Sequence, residues 1–525
     1  MRKLDPRLDT SVPTPQRVRM PLAVGSMFIA AWGFCGGAAW AQEAGERDAP
    51  STPIHNLRRF ADPTGEIATF NINGRINTQS AFFQSLGTNG RSCATCHVED
   101  QAFSISPPQI RERFEKTRGQ DPLFAAVDGA NCPNTRTSDF AAHSLLLKHG
   151  LIRIGLAMPP NPQFTLSVVH DPYGCALAPD PVTGQLMVSV YRRPLPTTNL
   201  RFLSTVMFDG RETLHALTSE QTFAANLQSD LTHQAQSAIS VHFQADMAPT
   251  AAQLADIVNF ELGLSTAQLR DESAGSLDRD GAMGGPLMLA NQAYHPAIND
   301  VLGADPSGAA FNPVAMTAFA EWADSGYSGR DADPYGEPDG RAAARRAIAA
   351  GETLFNTAPL SITGVRGIND NAALGSPPSF KGTCTTCHDA PNVGDHSLPL
   401  PIDLGIGHAP ESGLENDPLV AVAMGELDEP NLPVFLVSGC STPFSAGQPV
   451  SFYTTDPGKA LISGLCSDLN RVKGPILRGL AARAPYFHNG AAATLLQAVN
   501  FYNQRFAMNL TDDQKRQLVA FLNSL

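Results

Sequence analysis

The chain has 525 residues, 42% of them hydrophobic but only 7% aromatic, with 44 glycines and 41 prolines. That length exceeds a single small domain and predicts two or three, with many turns and long irregular segments. A formal charge of −13 argues against nucleic acid and anionic membrane surfaces as partners, and leaves a basic protein partner open.

The N-terminus reads as an export signal. Arg17 and Arg19 precede an apolar run from Pro21 to Ala31, and Ala39-Trp40-Ala41 forms an A-x-A cleavage site. Cleavage after Ala41 removes five basic and two acidic residues, which takes the formal charge from −13 to −16. The run is too short to span a bilayer, and no other approaches ~18 residues. The expected location is the periplasm, with no membrane span in the mature protein. Residues 42–60 read as a polar tail.

Ser80 to Leu86 predicts a short helix leading into Cys93-Ala94-Thr95-Cys96-His97, and the same form returns as Cys384-Thr385-Thr386-Cys387-His388. C-x-x-C-H is the attachment signature of a c-type haem. Two thiols at this spacing can each add to a haem vinyl group, and the histidine that follows is held under the ring as an iron ligand. The two motifs therefore predict two covalent haem c groups. Cys93, Cys96, Cys384 and Cys387 form the thioethers, and His97 and His388 are the proximal ligands.

Residues 98–190 form a long insertion rich in proline and glycine. It contains His143, His149, His170 and Met158, which could approach an iron but are expected to be structural. From Thr250, the residues Leu254, Ile257, Val258, Glu261 and Leu262 fall at helical spacing and predict a core helix. Residues 326–340 read as a linker, Arg341 to Phe355 as a helix, and 388–472 as mostly loop. Two helices close the chain. The last opens on the capping box Thr511-Asp512-Asp513-Gln514 and turns Leu518, Val519, Phe521, Leu522 and Leu525 inward. Beyond the haem motifs no repeat is visible.

The four cysteines outside the motifs and the leader are expected to pair with their sequence neighbours, Cys132 with Cys175 and Cys440 with Cys466, as loop staples. The expected fold is mainly α, with two cytochrome c-like haem domains and long irregular insertions. The boundaries are a signal peptide at 1–41, an N-terminal domain at 42–335 and a C-terminal domain at 336–525.

The order of these pieces resembles the bacterial di-haem cytochrome c peroxidase family, which includes MauG. The resemblance runs from about Phe82 to the C-terminus. It rests on Cys93–His97, Arg193–Asn199, Phe208–Arg211, Phe260-Glu261, Gly351–Phe355, Cys384–His388, Leu477-Arg478 and Ala484–Gly490. It implies that peroxide or a related oxidant reacts at the His97 haem. Electrons from a small redox protein or an organic donor would be relayed through the His388 haem.

Departures from the family pattern open alternatives. Phe208 stands where the family has an inter-haem tryptophan, and with Arg211 it marks the implied active-site region. The family's Pro-x-Glu-Met setting, which carries the acid–base group, is missing between Arg211 and Thr250. The carboxylates there are Glu212, Glu220, Asp230 and Asp246, with His233 and His242 as poorer substitutes. The family's calcium site uses an asparagine near the Arg193-Pro194 position, so the resemblance leaves calcium as a possible but doubtful further cofactor. The distal ligand of the second haem is Tyr502, as in MauG-like members, or Met508. A MauG-like oxidase, a rubber-oxygenase-like dioxygenase acting on dioxygen, and a non-catalytic di-haem electron carrier are the remaining readings.

Overall fold

Threonine-capped helices flank the two Cys-x-x-Cys-His turns, and small antiparallel sheets fill the spaces the helices leave. The computed structural model describes residues 55–525 except 134, 181–182, 324–337, 392–400, 410–417 and 442–448. The leader, most of the polar tail and most of the linker lie outside the described residues. The helices are α1 (Pro107–Thr117), α2 (Ser144–His149), α3 (Phe223–His242), α4 (Ala251–Gly263), α5 (Gly285–Ala290), α6 (Pro338–Thr357), α7 (Pro418–Met424), α8 (Ala460–Ser463), α9 (Leu495–Arg505) and α10 (Asp512–Asn523).

The expectation of a mainly α fold needs correction. Helix accounts for 33% and strand for 17%, so the chain is mixed. One sheet has the order β1-β2-β7-β8, from Arg59–Asp62, Gly65–Asn71, Leu264–Asp271 and Gly275–Ser276. A second, β3-β6-β5, uses Ile152–Ala157, Leu186–Arg192 and Leu177–Pro179 of the insertion. A third, β12-β11-β4, joins Pro449–Thr454 and Val434–Ser441 to Thr165–His170. A short pair links β9 (Leu360–Ile362) to β10 (Phe380–Gly382).

The second and third sheets pack face to face. Leu156, Val188 and Val190 of one meet Phe435 of the other, with Leu461 beside them. Val188 and Val190 of β6 point into this contact two residues apart, as the period of two requires, while Ser189 and Tyr191 are buried on the other face. The insertion of the first half is thereby paired with the long excursion of the second, Leu436 lying opposite Ser167. The disulfides Cys132–Cys175 and Cys440–Cys466 staple this module as expected. Replacing either pair by alanine should cost about 2–4 kcal/mol, because each closes a loop that the unfolded chain must otherwise order. Chemical unfolding of the oxidised and variant proteins measures the difference.

The largest core cluster lies between α6 and α10. Ile348, Ala349 and Phe355 of α6 meet Leu518, Phe521 and Leu522 of α10, with Phe319 and Trp322 closing one end. On α10 the buried positions follow the i, i+3, i+4 stripe of a half-buried helix. The helices touch at Gly351, where an added Cβ would lie 2.0 Å from the Gln517 carbonyl oxygen.

Candidate haem attachment sites

Both Cys-x-x-Cys-His motifs fold into the same turn. Cys93–Thr95 and Cys384–Thr386 are single 3-10 turns, entered from extended Ser92 and Thr383. In the first, the backbone N–H of Ser92 donates to the Thr95 hydroxyl at 3.0 Å; in the second, that of Thr383 donates to Thr386 at 3.0 Å. The His97 N–H donates to the Cys93 carbonyl at 3.0 Å, and the His388 N–H to the Cys384 carbonyl at 3.0 Å. The four cysteines are free and half-buried.

At the first site, His97 Nδ1 faces the Phe103 carbonyl oxygen at 3.0 Å. A carbonyl there selects the tautomer with the proton on Nδ1 and leaves Nε2 as the ligating nitrogen. Burial holds the imidazole down to about 4, hence neutral at physiological pH. Cys93 packs with Phe82, Phe103 and Phe260. Cys96 lies among charges: Arg91 donates to Asp128, which also holds His242, and Arg113 donates to Asp121.

The second site opens onto a cavity with about 1830 Å³ of empty space, part of it open to solvent. Cys384, Cys387, His388, Tyr502, Met508 and Phe208 all line it, so it brings together six of the residues singled out from the sequence. Arg211 stands behind this wall, with Nη1 donating to both carboxylate oxygens of Asp209 at 3.0 Å. Tyr502 packs on Phe487 and Phe506. Burial raises its phenol well above the ordinary value, with Cys387 and Cys384 adding to the effect. Among the described residues none hydrogen-bonds its hydroxyl.

The residues fit a haem at this cavity. The wall is largely apolar, as a porphyrin face requires; Asp403 also lines it but is engaged by His408, which leaves Arg193 and Arg483 without a carboxylate partner among the described residues. Arg193 donates to the carbonyls of Ile105, Gly150 and Arg483 at 2.7, 2.9 and 3.2 Å, and no carboxylate among the described residues reaches it. Burial lowers its guanidinium to about 9 and that of neighbouring Arg483 to about 10. Arg483 Nε is buried with no partner. A buried guanidinium beside a half-buried one calls for an anion, and the carboxylates of haem would supply it.

Sequence reasoning missed a buried charge network behind this cavity. Arg192 donates to Asp456 at 2.6 and 2.9 Å and to Asp209 at 2.5 Å, all three side chains being almost fully buried. His488 Nε2 lies 3.9 Å from Asp456, and its ring meets Phe208 edge-on at 6.1 Å. His488 belongs to the Ala484–Gly490 run and Arg192 adjoins the Arg193–Asn199 run, but nothing local marks Asp456.

The other candidates are placed elsewhere. His143 is fully buried with its ring nitrogens facing the carbonyls of Gly129 and Thr137 at 2.6 and 2.9 Å, a structural role. His170 bonds Asn431, and Met158 packs in the β module. His149 is partly buried beside Gly490. Glu212 holds His233 at 2.6 Å and Asp230 holds His215 at 2.5 Å, while Glu220 and Asp246 are exposed. The described residues contain no cluster of three or more His, Cys, Asp or Glu poised to hold a metal ion by themselves. No described helix is long and apolar enough to cross a membrane.

No family model matches the chain. A stretch of it is similar to the cytochrome-c peroxidase IdrP2 of Denitromonas iodatirespirans, 34% identical over 153 residues, 28% of this chain and 36% of that protein. The protein of the same name from Pseudomonas sp. (strain SCT) is 31% identical over 155 residues, 28% of this chain and 37% of that one. The chain thus spans little more than a third of the length of these curated relatives. The similarity is that of a peroxidase-related region.

Proposed function

We propose that the chain is a periplasmic di-haem c-type oxidoreductase of the cytochrome c peroxidase kind. It reduces hydrogen peroxide or a related oxidant at the His97 site, with electrons relayed through the His388 site from a small redox protein or an organic donor. The observation that carries the reading is the pair of matching Cys-x-x-Cys-His turns, each ending in a half-buried histidine. Partial similarity to two cytochrome-c peroxidases supports it, and so do two disulfides, which suit an oxidising compartment. In this reading residues 42–335 and 336–525 each carry one haem.

Bound haem c would supply a redox-active iron at each site. The chain's own residues do the rest. His97 and His388 would hold the metal, the four cysteines would fix the macrocycle, and Arg193 with Arg483 would take its carboxylates. Phe208 and His488 form an aromatic wall on the second cavity, and Tyr502, with Met508 as the alternative, would supply the iron's second protein ligand there. Calcium has no part in this proposal.

The absence of a Pro-x-Glu-Met setting favours an oxidase or oxygenase as the second reading, since Glu212 and Asp230 in that stretch are each engaged by a histidine. Electron paramagnetic resonance of the ferric and half-reduced holoprotein tests for an enzyme. A high-spin fraction that changes on adding peroxide is expected. Two fully low-spin haems indifferent to peroxide would make the chain an electron carrier instead.

A further inference from the structure

Helices α4 and α10 are structural twins, a repeat the sequence had not disclosed. Each opens on a threonine that exchanges hydrogen bonds with a glutamine, Thr250 with Gln253 and Thr511 with Gln514. At the same distance along each helix stands a buried phenylalanine. Phe260 packs on Phe82 and Phe83 at 4.7 and 5.4 Å, and Phe521 packs on Phe355 at 5.4 Å. A buried leucine follows each helix, Leu264 and Leu525. One place after each phenylalanine the twins diverge, to Glu261 in α4 and Leu522 in α10.

Leu522 lines the cavity that Cys384, Cys387 and His388 also line. By register, Glu261 takes the corresponding place at the first site. The Glu261 charge lies near that site, since after burial it is the larger of the two charges, with Cys96, that raise the Cys93 thiol. Glu261 is only 3% exposed, and its Oε2 has no hydrogen-bond partner.

We propose that Glu261 stands on the wall of the His97 haem site and takes up a proton together with the electron that reduces that haem. The inference rests on the di-haem reading. One electron arrives from an external one-electron donor and converts ferric to ferrous iron. One proton arrives from solvent and forms an O–H bond on the Glu261 carboxylate, so the net charge of the site is unchanged. In a desolvated wall a carboxylate is tolerated beside the more positive iron and becomes costly when that charge falls.

Burial, with no compensating cation, raises the Glu261 carboxyl to about 8. The elements packed on α4 bring Asp230, His233 and His242 from α3, and Arg201 from the turn Leu200–Phe202. Each is engaged elsewhere: Asp230 by His215, His233 by Glu212, His242 by Asp128, and Arg201 by the carbonyls of Leu289 and Ala290. The turn Ala81–Phe83 carries no titratable group.

Spectroelectrochemical titration of the holoprotein from about pH 6 to about pH 9 reads this coupling. The potential of the His97 haem should fall as pH rises through the ionisation of Glu261, by up to a tenfold shift in the redox equilibrium per pH unit, or about 59 mV for one electron. Glu261→Gln and Glu261→Leu, the latter reproducing the Leu522 site, should flatten that slope while intact mass still shows two haems. A wild-type potential with no slope overturns the inference, as does a slope that survives in either haem-replete variant. A wild-type chain lacking haem at His97 instead overturns the di-haem reading itself.

Discussion

Arg192→Met is expected to destabilise the chain by about 3–5 kcal/mol, because it removes the cation from two buried carboxylates and leaves their desolvation uncompensated. Arg192 is fully buried, and its Nε and Nη2 serve Asp456 while Nη1 serves Asp209. Arg211 would still neutralise Asp209, but Asp456 would keep only the Gly458 N–H at 2.8 Å and His488 at 3.9 Å. Urea unfolding of the haem-loaded protein measures the loss. Adding Asp456→Asn to the variant should recover part of it, since the pair is coupled. A loss below about 1 kcal/mol, the range of exposed ion pairs, would contradict the account.

The same network fixes an acid limit. Burial alone would raise Asp209 and Asp456, but Arg192 outweighs it together with Arg211 at Asp209 and with His488 and the Gly458 N–H at Asp456, and both are held below their ordinary value of 3.8. Depressed carboxyls contribute stability that is full above the unfolded value and is lost as pH falls through the folded one. Their contribution therefore disappears only below about pH 4, under the ordinary carboxylate range.

Tyr502→Phe is expected to change the ferric spectrum of the second haem and to raise its reduction potential. A phenolate is a hard anionic ligand that favours ferric iron, and the substitution removes the oxygen while keeping the ring among Phe487 and Phe506. Tyr502→Met should also raise the potential. Met508 lines the same cavity, so Met508→Leu is the comparison. If Met508 is the ligand, its variant alone will lose the weak near-infrared band of methionine-ligated ferric haem. Neither variant altering the spectrum would reject both residues.

What could be read from the chain follows from how local each signal is. The Cys-x-x-Cys-His turns, the cap at Thr511 and the core face of α4 depend on residues within a few positions, and they are legible. The disulfides too join neighbours in sequence. The β module was hidden because its alternation, Val188 and Val190 in β6 or Phe435 and Val437 in β11, is short and set among glycines and prolines. Its pairing also spans the chain, from β4 to β11. Asp456 was invisible for a related reason: it gains meaning only against Arg192, on a strand from the other half. The α4–α10 repeat escaped notice because its identities reduce to a capping threonine, a glutamine, a phenylalanine and a leucine spread over one helix each.

The central claim is that both turns carry covalent haem. Intact mass of the chain, made in a host with a competent c-type maturation system, tests it most directly. The predicted value is the processed polypeptide plus two haem masses, falling to one in Cys93→Ala or Cys384→Ala with the loss at that variant's own site. A wild-type mass with one haem or none would contradict the account.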